Sequence, residues 1–248
     1  MDKKTSYRFR RFLATILGLV IFGVFLLVNP NSYQPEYALN DSVQTPEEIS
    51  TKDETTSDST LAVDVLESLA VHGKNTTQKY YRKLFYSTWG STDSGCNTRE
   101  AILARDLKDI IFDGCKVQSG VLNDPYTGQE IQFERGQNTS SAVQIDHVVA
   151  LSNAWATGAY MLDEDTRYKI SQDPLNLIAV DGPANQEKSD QDASEWLPDN
   201  LKFQCQYVAR QISVKAKYHL WVTPAEKSAM QSVFATCPNE PTIGLENR

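Results

Sequence analysis

One stretch of this chain, Ser141 to Lys188, constrains the fold more than any other. Two short apolar runs bracket a longer amphipathic segment. The first run, Val143 to Val149, carries adjacent Asp146 and His147, and the second, NLIAV, opens on Asn176. The segment after the second run reads as a helix and carries Asn185 and Lys188. Apolar runs of that length are strand-sized, so the stretch predicts strand, helical insertion, strand, helix. Of the three histidines, only His147 is flanked by a carboxylate, and the contexts of His72 and His219 suggest no role. Neighbouring side chains on a regular strand point to opposite faces. Asp146 and His147 therefore share a site only if the strand ends or bulges between them. A turn into the insertion at Ser152 to Trp155 permits that.

The N-terminus bears on where the chain works. Lys3, Lys4, Arg8, Arg10 and Arg11 precede the uncharged apolar run Phe12 to Val28. A basic flank before such a run is the pattern of a signal peptide or a membrane anchor. With no A-x-A site at the usual distance, an uncleaved anchor is the preferred reading of residues 1–28. Residues 29–60 are rich in Ser, Thr, Asp, Glu and Pro and poor in large aliphatic residues, so they read as an acidic disordered stalk. The folded domain is expected over 61–240, with a frayed polar tail over 241–248. Placement outside the cytoplasm gives the four cysteines a meaning. An even count in an exported chain favours disulfides, with three connectivities open. Pairing of sequence neighbours, Cys96 with Cys115 and Cys205 with Cys237, would staple one local loop each. No C-x-x-C pair occurs, which argues against structural zinc.

Within the domain, helices are expected at Leu61–Val71 (stopped by Gly73), at CNTREAILARDL with Asn97 as cap and Glu100 completing a capping box, and at Asp190–Trp196. Two more are expected at LKFQCQYVARQISVKAKY, with Phe203, Tyr207, Val208 and Ile212 inward, and at TPAEKSAM with Thr223, Pro224 and Glu226 forming a capped start. CKVQSGVL, the turn NDPYTG, and QEIQF read as a β-hairpin. The stretch Lys79 to Trp89 is aromatic and mildly basic. Trp155, Trp196 and Trp221 are expected in the core. The fold class is α+β, mostly helical around a small hairpin, behind the N-terminal transmembrane or signal helix.

A net charge of -8 is not the profile of a protein that grips nucleic acid by bulk electrostatics, and it counts against tight binding. It does not exclude a hydrolase with a local basic groove and a metal ion. Hydrolysing a phosphodiester requires activating water, stabilising charge on phosphorus and helping the 3′ oxygen leave. A histidine near its ordinary pKa can act as general base. A divalent cation on hard oxygen ligands supplies the rest, and Asp146 and the amide oxygen of Asn185 are such ligands.

The pattern Asp146–His147, Asn176–Leu177, then Asn185 and Lys188 resembles the HNH (ββα-metal) nuclease superfamily. IDHVVALSNAW, DPLNLIAVDGPANQEKSDQDASEWLP, CNTRE and DPYTG resemble more closely exported bacterial HNH proteins related to the GmrSD restriction endonuclease C-terminal domain, over about Leu84 to Cys237. The resemblance implies an HNH ββα-metal core. It makes His147 the general base, Asn176 the asparagine that holds the base-bearing loop, and Asp146 and Asn185 the ligands of Mg²⁺ or Mn²⁺. It also implies a nucleic-acid substrate, DNA ahead of RNA. Many relatives carry His where this chain has Asn185, and zinc-binding Cys where it has Asp181 and Ala184. That departure bears on which metal is bound.

Lys188, Arg210 and Arg99 are candidate phosphate contacts, although Lys188, Arg210, Lys215 and Lys217 also fit a solvated face and Arg99 a salt bridge at a helix start. The second functional class is a surface-tethered binding or structural module with an HNH-like fold and no chemistry. The presence of Asp146, His147, Asn176 and Asn185 together favours the enzyme.

Overall fold

The structure is a computed structural model that describes residues 60–244. The expected anchor or signal helix, nearly all of the expected stalk, and the last four residues of the tail lie outside the described residues. Among the described residues no helix is long and apolar enough to cross a membrane.

Among the described residues there are seven α-helices and two small antiparallel sheets. They are α1 (Ala62–Ser68), α2 (Thr98–Asp106), α3 (Leu151–Ala156), α4 (Glu164–Gln172), α5 (Gly182–Lys188), α6 (Leu201–Lys217) and α7 (Pro224–Phe234). Strands β1 (Leu107–Asp113), β2 (Lys116–Asn123) and β3 (Glu130–Glu134) form one sheet in that order. Strands β4 (Val143–His147) and β5 (Leu177–Asp181) form the other.

Local chemistry explains these elements. Asn97 caps α2 by accepting the Glu100 amide at 3.0 Å. The Glu100 carboxylate does not complete the expected capping box; it accepts the Val117 amide and pairs with Arg135 at 2.6 Å. Leu107, the last residue of the expected helix, instead begins β1, whose ladder with β2 draws the chain out of the helix. The β2–β3 hairpin turns as expected. Asp124 Oδ2 accepts both the Thr127 amide and its hydroxyl, and Gly128 takes φ +73°, a conformation that suits glycine. Asp124 Oδ1 also accepts the Asp181 amide at 2.8 Å, which ties the turn to the end of β5.

β4 and β5 pair in register, Asp146 opposite Ile178 and His147 opposite Leu177. This ribbon is buried on both faces. Val143, Ile145, Leu177 and Ala179 pack with α2 and the three-stranded sheet. Ile178 and Val180 face the larger cluster formed with α1, α6 and α7. Beyond His147, Val149 enters a third cluster around Phe85 and Trp155. Gly182 starts α5 because a Cβ there would lie 2.1 Å from the Ser141 carbonyl oxygen. Asp181 caps the helix by accepting the Ala184 amide.

The expected capping box on α7 forms between Thr223 and Glu226. Both sequence-neighbour disulfides form, Cys96–Cys115 and Cys205–Cys237, with Cα separations of 5.4 and 6.4 Å.

Several local expectations are corrected. α1 ends at Ser68, before Gly73, because Val71 pairs in an isolated bridge with Val222. The insertion is broken at Gly158, φ +131°, into α3 and α4. Asp190–Trp196 is a series of turns: the Asp192 side chain accepts the Ser194 amide and hydroxyl, a local alternative to helix. Lys215 is fully buried against Glu226 at 2.9 Å, on the inner side of α6. The start of the tail is tied down, since Thr242 donates to Thr60 and Ile243 to Ser213.

Candidate active site

A cleft of about 640 Å³ opens over the end of β4. Asp146, His147 and Asn185 line it together with Gln144, Ser152 and Asp190, while Tyr80 and Arg82 form a wall contributed from upstream. β4 stays regular through His147. Both residues nevertheless line the cleft, at the point where β4 stops and the chain leads into α3.

His147 is held on three sides. Its Nε2 lies 2.9 Å from the Ser171 carbonyl oxygen. A carbonyl only accepts, so Nε2 carries the proton and Nδ1 is left with the lone pair. Trp89 stacks on the ring at 6.0 Å between centroids and 5° between planes, and Tyr86 lies 5.9 Å away. Burial pushes the imidazole pKa down from 6.5 to about 3, opposed by the Ser171 carbonyl and aided by the charges of Arg82 and Lys188. The ring is neutral at every ordinary working pH.

Asp146 is equally fixed. Tyr126 donates to its Oδ2 at 2.5 Å and Lys188 Nζ to its Oδ1 at 3.0 Å. Burial raises the carboxyl pKa, and these two partners pull it back down. Burial also pushes the Tyr126 phenol well above 10, so it remains a donor. Lys188 is fully buried and also donates to the His147 carbonyl at 3.0 Å.

Asn176 is fully buried. Its Oδ1 accepts the Val149 amide at 2.8 Å and its Nδ2 donates to the Val149 carbonyl, while its own carbonyl accepts the Val148 amide. Gln211 on α6 donates to the Val148 carbonyl. The two residues after His147 are thus clamped from both sides.

The donor set bears on a metal. All four cysteines are in disulfides, and among the described residues no group of three or more His, Cys, Asp or Glu side chains is arranged to hold an ion. A zinc site built from nitrogen and sulfur donors does not fit. The cleft does offer the Asp146 carboxylate and the Asn185 Oδ1, whose Nδ2 is already committed to Gln144 at 2.9 Å. One carboxylate and one amide oxygen suit a hard cation that keeps most of its water shell.

The candidate phosphate contacts are not gathered here. Lys188 is sealed beneath Asp146, Arg210 donates to the Leu175 carbonyl, and neither Arg210 nor Arg99 lines the cleft. Sequence reasoning missed Tyr126, Ser171, Gln211 and Arg82. Arg82 lay in the stretch noted as aromatic and basic, Tyr126 in the NDPYTG turn and Gln211 in the expected helix from Leu201, but none of the three was singled out.

Residues 97–233 match the family model for GmrSD restriction endonucleases, C-terminal domain. The chain belongs to this family. A secreted protein of Arthroderma benhamiae, itself uncharacterized, is 38% identical over 179 residues, covering 71% of this chain and 84% of its own length. The GmrSD C-terminal domain match takes in β4, β5, α5 and the clamp from α6. Tyr80 and Arg82 precede it.

Proposed function

We propose that this chain is an exported, metal-dependent nuclease of the HNH (ββα-metal) type that hydrolyses phosphodiester bonds, in DNA ahead of RNA. The observation that carries the reading is the state of His147: neutral, fixed in one tautomer by Ser171, and placed beside Asp146 and Asn185 in one cleft. Membership of the GmrSD family supports a nuclease. The two disulfides and the secreted relative support export.

In this mechanism water attacks phosphorus and gives its proton to His147 Nδ1. The bond to the 3′ oxygen breaks, and that oxygen leaves with a proton from solvent. A ring with a pKa of about 3 is a weak acceptor in the resting cleft. A phosphate anion beside it favours the protonated form and raises its proton affinity. When bound at Asp146 and Asn185, Mg²⁺ or Mn²⁺ would stabilise the negative charge that develops on phosphorus and the leaving oxygen. Asn176 keeps the loop after His147 from shifting. Tyr126 and Lys188 hold the Asp146 carboxylate at one angle.

The alternative, a binding module without chemistry, draws on one observation: the charge of Asp146 is already compensated by Lys188. Incubating the full chain with plasmid, linear DNA and RNA, with and without Mg²⁺ or Mn²⁺, separates the two. Cleavage that requires the ion and disappears in His147→Ala supports the nuclease; binding without cleavage under all these conditions supports the module.

A further inference from the structure

The cleft wall upstream of residue 97 contains a feature that the mechanism has not used. Arg82 opens a short 3₁₀ turn, Arg82–Leu84, that is pinned by Arg167 Nε to the Leu84 carbonyl at 2.9 Å. Among the described residues that line the cleft it is the only Lys or Arg, and it is exposed. Among the described residues no carboxylate pairs with it within salt-bridge distance: every ion pair of the domain lies elsewhere. Its guanidinium instead sits 5.1 Å from the centre of the Tyr86 ring and donates to the Tyr86 hydroxyl. That same Tyr86 ring lies 5.9 Å from His147. An aromatic bracket thus holds an uncompensated cation beside the base, where a carboxylate would have neutralised it.

We propose that Arg82 is a further catalytic residue, whose guanidinium grips the non-bridging oxygens of the scissile phosphodiester, with Tyr86 as the positioning residue that aims it. The assignment rests on the nuclease reading above. A planar guanidinium fork matches two phosphate oxygens at once, which an ammonium cannot do. The same geometry defines the substrate. With one cation in the cleft and a net charge of -8, the protein contacts few phosphates, so it takes short or flexible nucleic acid and does not grip a long duplex. Its binding then depends weakly on salt, since each neutralised phosphate adds about one unit to the log–log slope.

The test uses the full chain and two substrates, a single-stranded oligonucleotide and bis(p-nitrophenyl) phosphate, which contains one diester only. Arg82→Ala should lose about 10²-fold in kcat/KM on both, the size of one lost charge-stabilising donor, and Arg82→Lys should recover part of it. Tyr86→Phe should raise KM or lower kcat by less than Arg82→Ala. In a His147→Ala background, which binds without cleaving, Arg82→Ala should reduce the salt slope of oligonucleotide binding by about one. A loss confined to the oligonucleotide would place Arg82 on a remote phosphate and overturn the assignment. Unchanged rates on both substrates would overturn it while leaving the nuclease reading intact. If the unmodified chain cleaves neither substrate with Mg²⁺ or Mn²⁺, both readings fall.

Discussion

Lys188 places its ammonium 3.0 Å from Asp146 Oδ1 with no exposure to solvent, so the carboxylate of the cleft is supported from the inside by a buried cation. Sequence spacing puts the two residues 42 apart, and the hydrophobic pattern gives no reason to bury a lysine. The pair turns the floor of the cleft into a fixed electrostatic element. Lys188 also reaches the His147 carbonyl, so the same group steadies the backbone at His147.

Removing one partner of a buried pair leaves the other charge stranded. Lys188→Met should therefore destabilise the domain by about 3–5 kcal/mol at neutral pH. Without the lysine, the folded pKa of Asp146 rises further above its unfolded value, because the Lys188 charge is the largest of the influences that pull it down. The variant's deficit should shrink as pH falls and Asp146 protonates in the folded state. Urea unfolding at pH 7 and pH 5 measures both effects. An unfolding midpoint equal to that of the unmodified chain at pH 7 would show that the pair contributes nothing.

The depressed pKa of His147 makes a separate prediction. Its folded value of about 3 lies below the ordinary 6.5, so between those limits the unfolded chain binds the extra proton. By linkage, the His147 contribution to stability is complete above pH 6.5 and is lost as pH falls toward 3. His147→Gln cannot titrate, so its melting temperature should fall less steeply across that window. Calorimetry of both proteins from pH 7 to pH 4 gives the comparison. The acid limb of kcat/KM for the unmodified enzyme should likewise sit well below 6.5; a limb at 6.5 would mean that His147 titrates as an exposed histidine.

Asn176 should act through geometry alone. Asn176→Ala removes the acceptor for the Val149 amide and the donor to its carbonyl, both buried, at a cost of about 1–3 kcal/mol for each group left unpaired. The loop that follows His147 then shifts, and on the nuclease reading a displacement near 1 Å can lower the rate by about 10²-fold. Asn176 lies behind the loop and does not line the cleft, so calorimetric titration with Mn²⁺ should be little changed. A large loss of metal affinity would contradict the positioning role.

The sequence made the ribbon and its flanking helices legible because period and turn chemistry agreed there. Asn97 and Thr223 cap as their spacing predicts, NDPYTG turns a hairpin, and the cysteines pair with their neighbours. The misses have a common cause in tertiary partners. Glu100 satisfies the Val117 amide and Arg135 in place of its own helix start, and Lys215 turns inward because Glu226 waits there. β1 was hidden because its exposed Ile111 and Phe112 break the inward–outward alternation. Asp146, His147, Asn176 and Asn185 were legible as a pattern, and three of them, Asp146, His147 and Asn185, line the cleft. Tyr126 and Ser171 were not, since a turn tyrosine and a backbone carbonyl leave no periodic signal.

The two kinds of site residue should fail in different ways. On the proposed mechanism, His147→Ala removes the proton acceptor and leaves the two proposed oxygen ligands, Asp146 and Asn185, in place. It should still bind Mn²⁺ and oligonucleotide while losing at least about 10²-fold in rate, the lower end for general-base catalysis. Asp146→Ala removes the anionic ligand and leaves Lys188 buried without its partner, so metal affinity and stability should both drop. Asp146→Asn keeps the shape and an amide oxygen, and it should fold better than Asp146→Ala while still binding metal weakly. Excess Mn²⁺ should then restore part of the Asn variant's rate but none of the His147→Ala rate, because an added ion cannot replace a base. Asn185→His exchanges an oxygen donor for an imidazole nitrogen, which favours softer cations than Mg²⁺; its activity should persist with a changed order of metal preference. Nuclease assays beside calorimetric metal titration of each variant test the whole set. Cleavage by His147→Ala at the unmodified rate would remove His147 from the chemistry and favour the binding module.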